Sequence, residues 1–128
     1  MTARELAIQI DGRQYRHEMT KEIVQLAKDN NLVIVYGASD DLMEMRGEID
    51  DEFDCWNGGK FCVNKSKDKL RVSKSPGKTN YIEAVWCSDE FEGISWTYKT
   101  DIPHATFDIM EDGEKYCIGI VFSINDLK

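Results

Sequence analysis

Two stretches carry side chains that could do chemistry. In the first, GASDDLMEMRGEIDDEFDCWNGG (residues 37–59), Asp40, Asp41, Glu44, Glu48, Asp50, Asp51, Glu52 and Asp54 set eight carboxylates against the single Arg46. Carboxylates at that density serve a cation, acid–base catalysis or a basic partner. Asp50, Glu52 and Asp54 have the alternate spacing that opens an EF-hand loop, but that loop needs glycine sixth and glutamate twelfth, where the chain has Cys55 and Phe61. No metal site is assigned. Acid–base catalysis needs one carboxyl held in a desolvated pocket, and nothing in the run marks out such a member. What remains is a solvated face or a surface for a basic protein.

The second stretch, DEFEGISWTYKTDIPHATF (residues 89–107), collects Phe91, Trp96, Tyr98, Lys99, His104 and Thr106. Planar rings beside cations and hydroxyls suit nucleotide bases and phosphates, and Arg46 is a further candidate cation. Trp96 and Tyr98 also alternate with Ser95 and Thr97, which is the pattern of core residues on a strand. Phe91 lies between Glu90 and Glu92 in a connection, where burial is less assured. Covalent catalysis would have only His17 and His104 as histidine bases, and spacing alone joins neither to Cys87 or Ser95. Neither G-x-x-x-x-G-K-[ST] nor G-x-G-x-x-G occurs, so no cofactor and no catalytic residue is assigned.

With 128 residues the chain is read as a single domain, 1–128, around one core. Its net charge is −8, unevenly spread: from Lys60 to Lys78 seven bases (Lys60, Lys65, Lys67, Lys69, Arg71, Lys74 and Lys78) face only Asp68. Lysines on a polar loop can release counterions from nucleic acid, but a duplex would also meet the acidic block, so direct nucleic-acid binding is disfavoured. No apolar run approaches the roughly 20 residues that span a bilayer, and MTARELAIQIDG lacks a basic region followed by an apolar one. A cytoplasmic protein without a membrane partner is expected. Cys55, Cys62, Cys87 and Cys117 form no C-x-x-C pair and read as reduced, mostly buried thiols.

The elements that must position these groups follow from periodicity. Leu6, Ile8 and Ile10 alternate, so ELAIQI reads as a strand, Asp11-Gly12 as a hairpin turn and RQYRH as its return. Thr20 reads as the N-cap of a principal helix near residues 20–30, with Ile23, Leu26 and Ala27 on one stripe, a Met19–Val24 staple, and Asn30 or Asn31 as a left-handed stop. LVIVY is a buried central strand, LMEMR a strand ending at Gly47, Glu48 to Asp54 one helical turn, and KFCV another strand. Residues 64–80 read as a mobile loop around at most one short edge strand. From Tyr81 onward Ile82/Ala84/Trp86, Ile94/Trp96/Tyr98, Phe107/Ile109 and Ile118/Ile120/Phe122/Ile124 alternate, which predicts a four-strand meander. The class is α+β, mainly antiparallel sheet with the helix over one face.

VIVYGASDDLMEMRGEIDDEFDCWNGG and SWTYKTDIPHATFDIMEDGEKYCIGIVF resemble small phage and prophage proteins, specifically the first family of Thoeris anti-defence proteins. The likeness covers residues 32–63 and 81–122. It implies a non-catalytic sponge: a homo-oligomer in the bacterial cytoplasm that sequesters cyclic ADP-ribose-type signals or related cyclic nucleotides. The site is expected on Phe91, Trp96, Tyr98, Lys99, His104, Thr106 and Arg46. The alternative is an inhibitor that presents Asp40 to Asp54 to a basic host factor, and a small nucleotide hydrolase is the third reading.

Overall fold

The computed structural model describes residues 1–14, 20–37, 42–49, 51–54, 60–66, 69–73, 79–86 and 96–128. The first element departs from the alternation of Leu6, Ile8 and Ile10. Ala3–Ile10 is a helix, α1, opened by a capping box in which the Glu5 amide donates to Thr2 Oγ1 and the Thr2 amide to Glu5 Oε1, each at 3.1 Å. Leu6, Ala7 and Ile10 are buried while Ile8 is 68 % exposed, so the apolar set follows a helical stripe rather than a strand face. Burying Leu6 and Ile10 is worth on the order of 2 kcal/mol each. Three alternating residues fit either period, and the reciprocal cap decides between them. Asp11-Gly12 is accordingly no hairpin: Asp11 caps the helix and Gly12, at φ +83°, turns the chain into the short strand β1, Arg13–Gln14. The remainder of the expected RQYRH return lies outside the described residues.

Helix α2, Lys21–Asp29, begins after Thr20 and buries Ile23 and Ala27, with Leu26 packed beside them; Asn31, at φ +55°, ends it. Met19 of the expected staple lies outside the described residues. β2, Leu32–Tyr36, is buried on both faces, as its unbroken apolar run predicts. β3, Leu42–Gly47, pairs antiparallel with it. The helical turn expected over Glu48–Asp54 is instead the strand β4, Asp51–Asp54, antiparallel to β3. One isolated turn gains a single backbone bond for several fixed residues, whereas the edge of β3 offers a ready ladder. Gly47 makes the reversal possible: at φ +117° it lies so close to Leu32 that a Cβ would stand 2.4 Å from the Leu32 carbonyl oxygen.

The other strands are β5 (Lys60–Ser66), β6 (Lys69–Ser73), β7 (Tyr81–Trp86), β8 (Trp96–Thr100), β9 (His104–Glu111) and β10 (Glu114–Ser123). The polar segment 64–80 thus contains the end of β5 and the edge strand β6. One edge of β10 pairs with β9. Its other edge pairs with β2 over Ile120–Ser123 and, parallel, with β8 at Cys117. Two arms leave that edge, β2-β3-β4 and β8-β7-β5-β6, and β1 lies parallel on the far edge of β9. The fold is α+β and mainly antiparallel, and the four strands expected from Tyr81 onward are β7 to β10, but they do not form a simple meander: β8 pairs antiparallel with β7 and parallel with β10, and β9 lies on the other edge of β10.

In place of the one core expected, alternate residues serve two. Val33, Val35, Met45, Phe61, Val63, Ile82, Tyr98, Ile120 and Phe122 pack between the two arms. Leu32, Ile34, Tyr36, Phe107, Ile109 and Val121 face the other way, beneath α1 and α2. Cys62 and Cys117 are buried free thiols; Cys55 and Cys87 lie outside the described residues.

Asn80 fastens the chain end to this frame. It is 3 % exposed and left-handed at φ +55°, and its side-chain amide pairs both ways with Lys128: Nδ2 donates to the Lys128 carbonyl at 3.0 Å and Oδ1 accepts the Lys128 amide at 3.1 Å. Asn80→Ala should cost about 3 kcal/mol, from two lost hydrogen bonds and a conformation that alanine resists. Asn80→Gly should regain the backbone share. Urea unfolding checks this, and an unchanged midpoint for the alanine variant would show that the clasp contributes nothing.

Candidate functional site

An open groove of about 540 Å³ separates α1 from β9, lined by Arg4, Ala7, Ile8 and Asp11 on the helix and His104, Ala105 and Thr106 on the strand. The local sequence builds it directly. Arg4, Ile8 and Asp11 recur at four and three residues and so share one helix face. The helix is tied down at both ends: the Met1 ammonium donates to Asn30 Oδ1 at the end of α2 at 3.3 Å, and the Gly12 amide donates to the Asp108 carbonyl of β9 at 2.9 Å. At that second end the Asp108 amide donates to Asp11 Oδ1 at 2.7 Å, so a carboxylate closes the groove there. Arg4, two helical turns back, lies at the His104 end.

His104 Nδ1 lies 2.7 Å from the Ile102 carbonyl oxygen. A carbonyl only accepts, so Nδ1 carries the proton, and in the neutral ring Nε2 is left as an acceptor. The groove therefore sets the Arg4 guanidinium and the apolar surfaces of Ala7, Ile8 and Ala105 against the edge of β9 at His104 and Thr106, whose side chains alternate to the sheet face opposite Ala105 and Phe107. Among the described residues its lining includes no cysteine and no lysine.

A second polar cluster lies on the helix-covered face of β2 and β3. Glu44 is 2 % exposed, stands opposite Tyr36 in register, and is approached by Arg46 Nη2 at 3.5 Å. Burial pushes the Tyr36 phenol far above the usual tyrosine range, and its hydrogen bond to Glu44 pushes the same way, with Arg46 opposing. The cluster is a satisfied internal network: phenol and guanidinium hold one buried carboxylate.

Nearby, burial pushes the Cys117 thiol up to about 12, with the Gly37 amide beside it pulling the other way. An unfolded thiol ionises near 8.5. The raised value therefore contributes stability that is complete below about pH 8.5 and is lost as pH rises toward 12. The unfolding midpoint should fall across that range, and Cys117→Ala should flatten the slope. An equal slope in the variant would remove Cys117 as its source.

The expected ligand residues divide. His104 and Thr106 meet in the groove. Tyr98 is 8 % exposed and belongs to the core between the arms, which its alternation with Thr97 already allowed; Lys99 points away from that core and stands opposite Glu83. Arg46 pairs with Glu44 rather than facing the groove. Phe91 lies outside the described residues, as does the side chain of Trp96, which opens β8. Of the acidic run, Glu44 is buried rather than solvated, because its place on β3 faces α2; Glu48 is exposed. Asp51, Glu52 and Asp54 are on the edge strand β4, while Asp40, Asp41 and Asp50 lie outside the described residues. Arg4 and Asp11 were not anticipated. The T-x-x-E box at Thr2 and Glu5 was the available signal, since a helix there places both on one face.

Among the described residues no three His, Cys, Asp or Glu side chains are grouped to hold a metal ion, and no helix is long and apolar enough to cross a membrane. Comparison of the chain with protein-family models, with curated proteins and with solved structures returns no match.

Proposed function

We propose that this chain is a non-catalytic binding protein that sequesters a cyclic ADP-ribose-type or cyclic nucleotide immune signal in the groove between α1 and β9. The observation that carries the reading is the convergence of Arg4, His104 and Thr106 on one cavity of about 540 Å³. That volume falls in the range of roughly 300–1,000 Å³ typical of small-ligand sites. Arg4 suits a phosphate, Ile8 offers an apolar face to a ring, and Asp11 accepts hydrogen bonds from ribose hydroxyls. The resemblance to Thoeris anti-defence proteins supports the same ligand class, a phage or prophage origin, and an oligomer whose second copy would cover an open groove.

A thermal-shift screen with cyclic ADP-ribose isomers and cyclic oligonucleotides tests the proposal. Ligand at about a hundred times its Kd stabilises by about 2.7 kcal/mol, a readable rise in Tm. No shift with any member at saturating concentration would contradict it.

The second reading, an inhibitor of a basic host factor, is favoured by one observation: β4 places Asp51, Glu52 and Asp54 on the terminal edge of the sheet. Binding to such a factor that survives joint neutralisation of Asp50, Asp51, Glu52 and Asp54 would remove it.

A further inference from the structure

Among the described residues the outer edge of β9 is only partly paired. β1 takes Ile109 and Met110, and Asp108 gives its amide to Asp11 and its carbonyl to Gly12. Both main-chain groups of Asp108 therefore point outward. The β9–β10 register runs without a shift from His104 to Asp108, so outward and inward groups alternate: those of Thr106 and His104 also point outward, and those of Ala105 and Phe107 bond to β10. Both outward residues line the groove. Two residues are too few for a docked peptide strand, whose usual length is about five or six, and Asp11 and Gly12 block its extension.

A carbonyl and an amide two residues apart on an open edge match the edge of one planar base. We infer that the groove reads an adenine: the His104 carbonyl accepts from the exocyclic amino group and the Thr106 amide donates to ring N1. The inference rests on the nucleotide reading and narrows it. The ring lies against Ile8 and Ala105, and the ribose phosphate reaches Arg4. The Asp11 carboxylate at the opposite end repels phosphate and so sets the ligand's direction. Ligands closed into a ring through N1 of adenine lose the second hydrogen bond, whereas those closed through ribose hydroxyls keep it.

Titration with ADP-ribose and with its 1-methyladenine counterpart tests the inference. The methylated ligand should bind at least about tenfold more weakly, since N1 can no longer accept. Thr106→Pro removes only an outward amide, a change that an edge strand tolerates, and should bring the two affinities together; Thr106→Ala should leave the difference intact. Equal affinities for the natural chain, or a difference that persists in Thr106→Pro, would overturn the base assignment while leaving the nucleotide reading in place. Failure of both ligands and of every cyclic isomer to bind the natural chain would overturn both.

Discussion

Replacing Gly119 by alanine is expected to destabilise the protein by about 3 kcal/mol or more. Gly119 stands directly opposite Phe107 across the β10–β9 pair, and a Cβ there would meet three ring atoms of Phe107 at 2.2, 2.6 and 2.9 Å. The ring cannot swing away cheaply, because Phe107 is 2 % exposed and packs in the core beneath the helices. Overpacking a close-packed interior forces side chains off their rotamers or shifts backbone, typically at 1–3 kcal/mol, and a whole ring edge is at the upper end. The companion change Phe107→Leu should restore part of the loss in the double variant, since the two positions share one space. Urea unfolding of the two single variants and the double variant supplies the cycle. Strict additivity would mean that Gly119 is required for a reason other than this contact.

Arg4→Glu should lower affinity for a phosphorylated ligand about a hundredfold, equivalent to about 2.7 kcal/mol. A hydrogen bond to a charged group is worth about 1.5–3 kcal/mol, and the introduced carboxylate adds repulsion to what it removes. The same change should leave folding stability nearly untouched. Residue 4 lies in the first turn of α1, where a negative charge is favourable to the helix dipole, and its side chain is exposed. Calorimetric titration at low and at physiological salt checks both parts: the affinity loss should shrink as salt screens the repulsion. Unchanged affinity would place the phosphate away from this end of the groove.

The sheet was largely legible because its strands alternate or run apolar in short bursts bounded by turn residues. LVIVY and the strands from Tyr81 to Ser123 are the clearest cases, together with the helix after Thr20. The misreadings share a cause. Between Glu5 and Ile10, and again between Glu48 and Asp54, too few apolar residues are present to fix a period, so a reciprocal cap in the first case and an available sheet edge in the second decided the structure. The site was half legible for a related reason. His104 and Thr106 stand out as polar residues in a strand, but Tyr98 does not announce its own burial, and Arg4 and Asp11 reach the groove through a helix that alternation concealed. Glu44 shows the limit most sharply: among eight similar carboxylates, its register opposite Tyr36 alone takes it inside.

The central claim is that the groove between α1 and β9 holds a phosphorylated nucleotide and returns it unchanged. Its most direct test is to saturate the natural chain with a cyclic ADP-ribose-type ligand, remove unbound ligand, denature the complex by heat and identify the released molecule by mass spectrometry. The account predicts release of the intact cyclic ligand in a fixed proportion to protein, with that proportion lost in Arg4→Glu. Recovery of a linearised or hydrolysed product, or equal retention by Arg4→Glu, would contradict it.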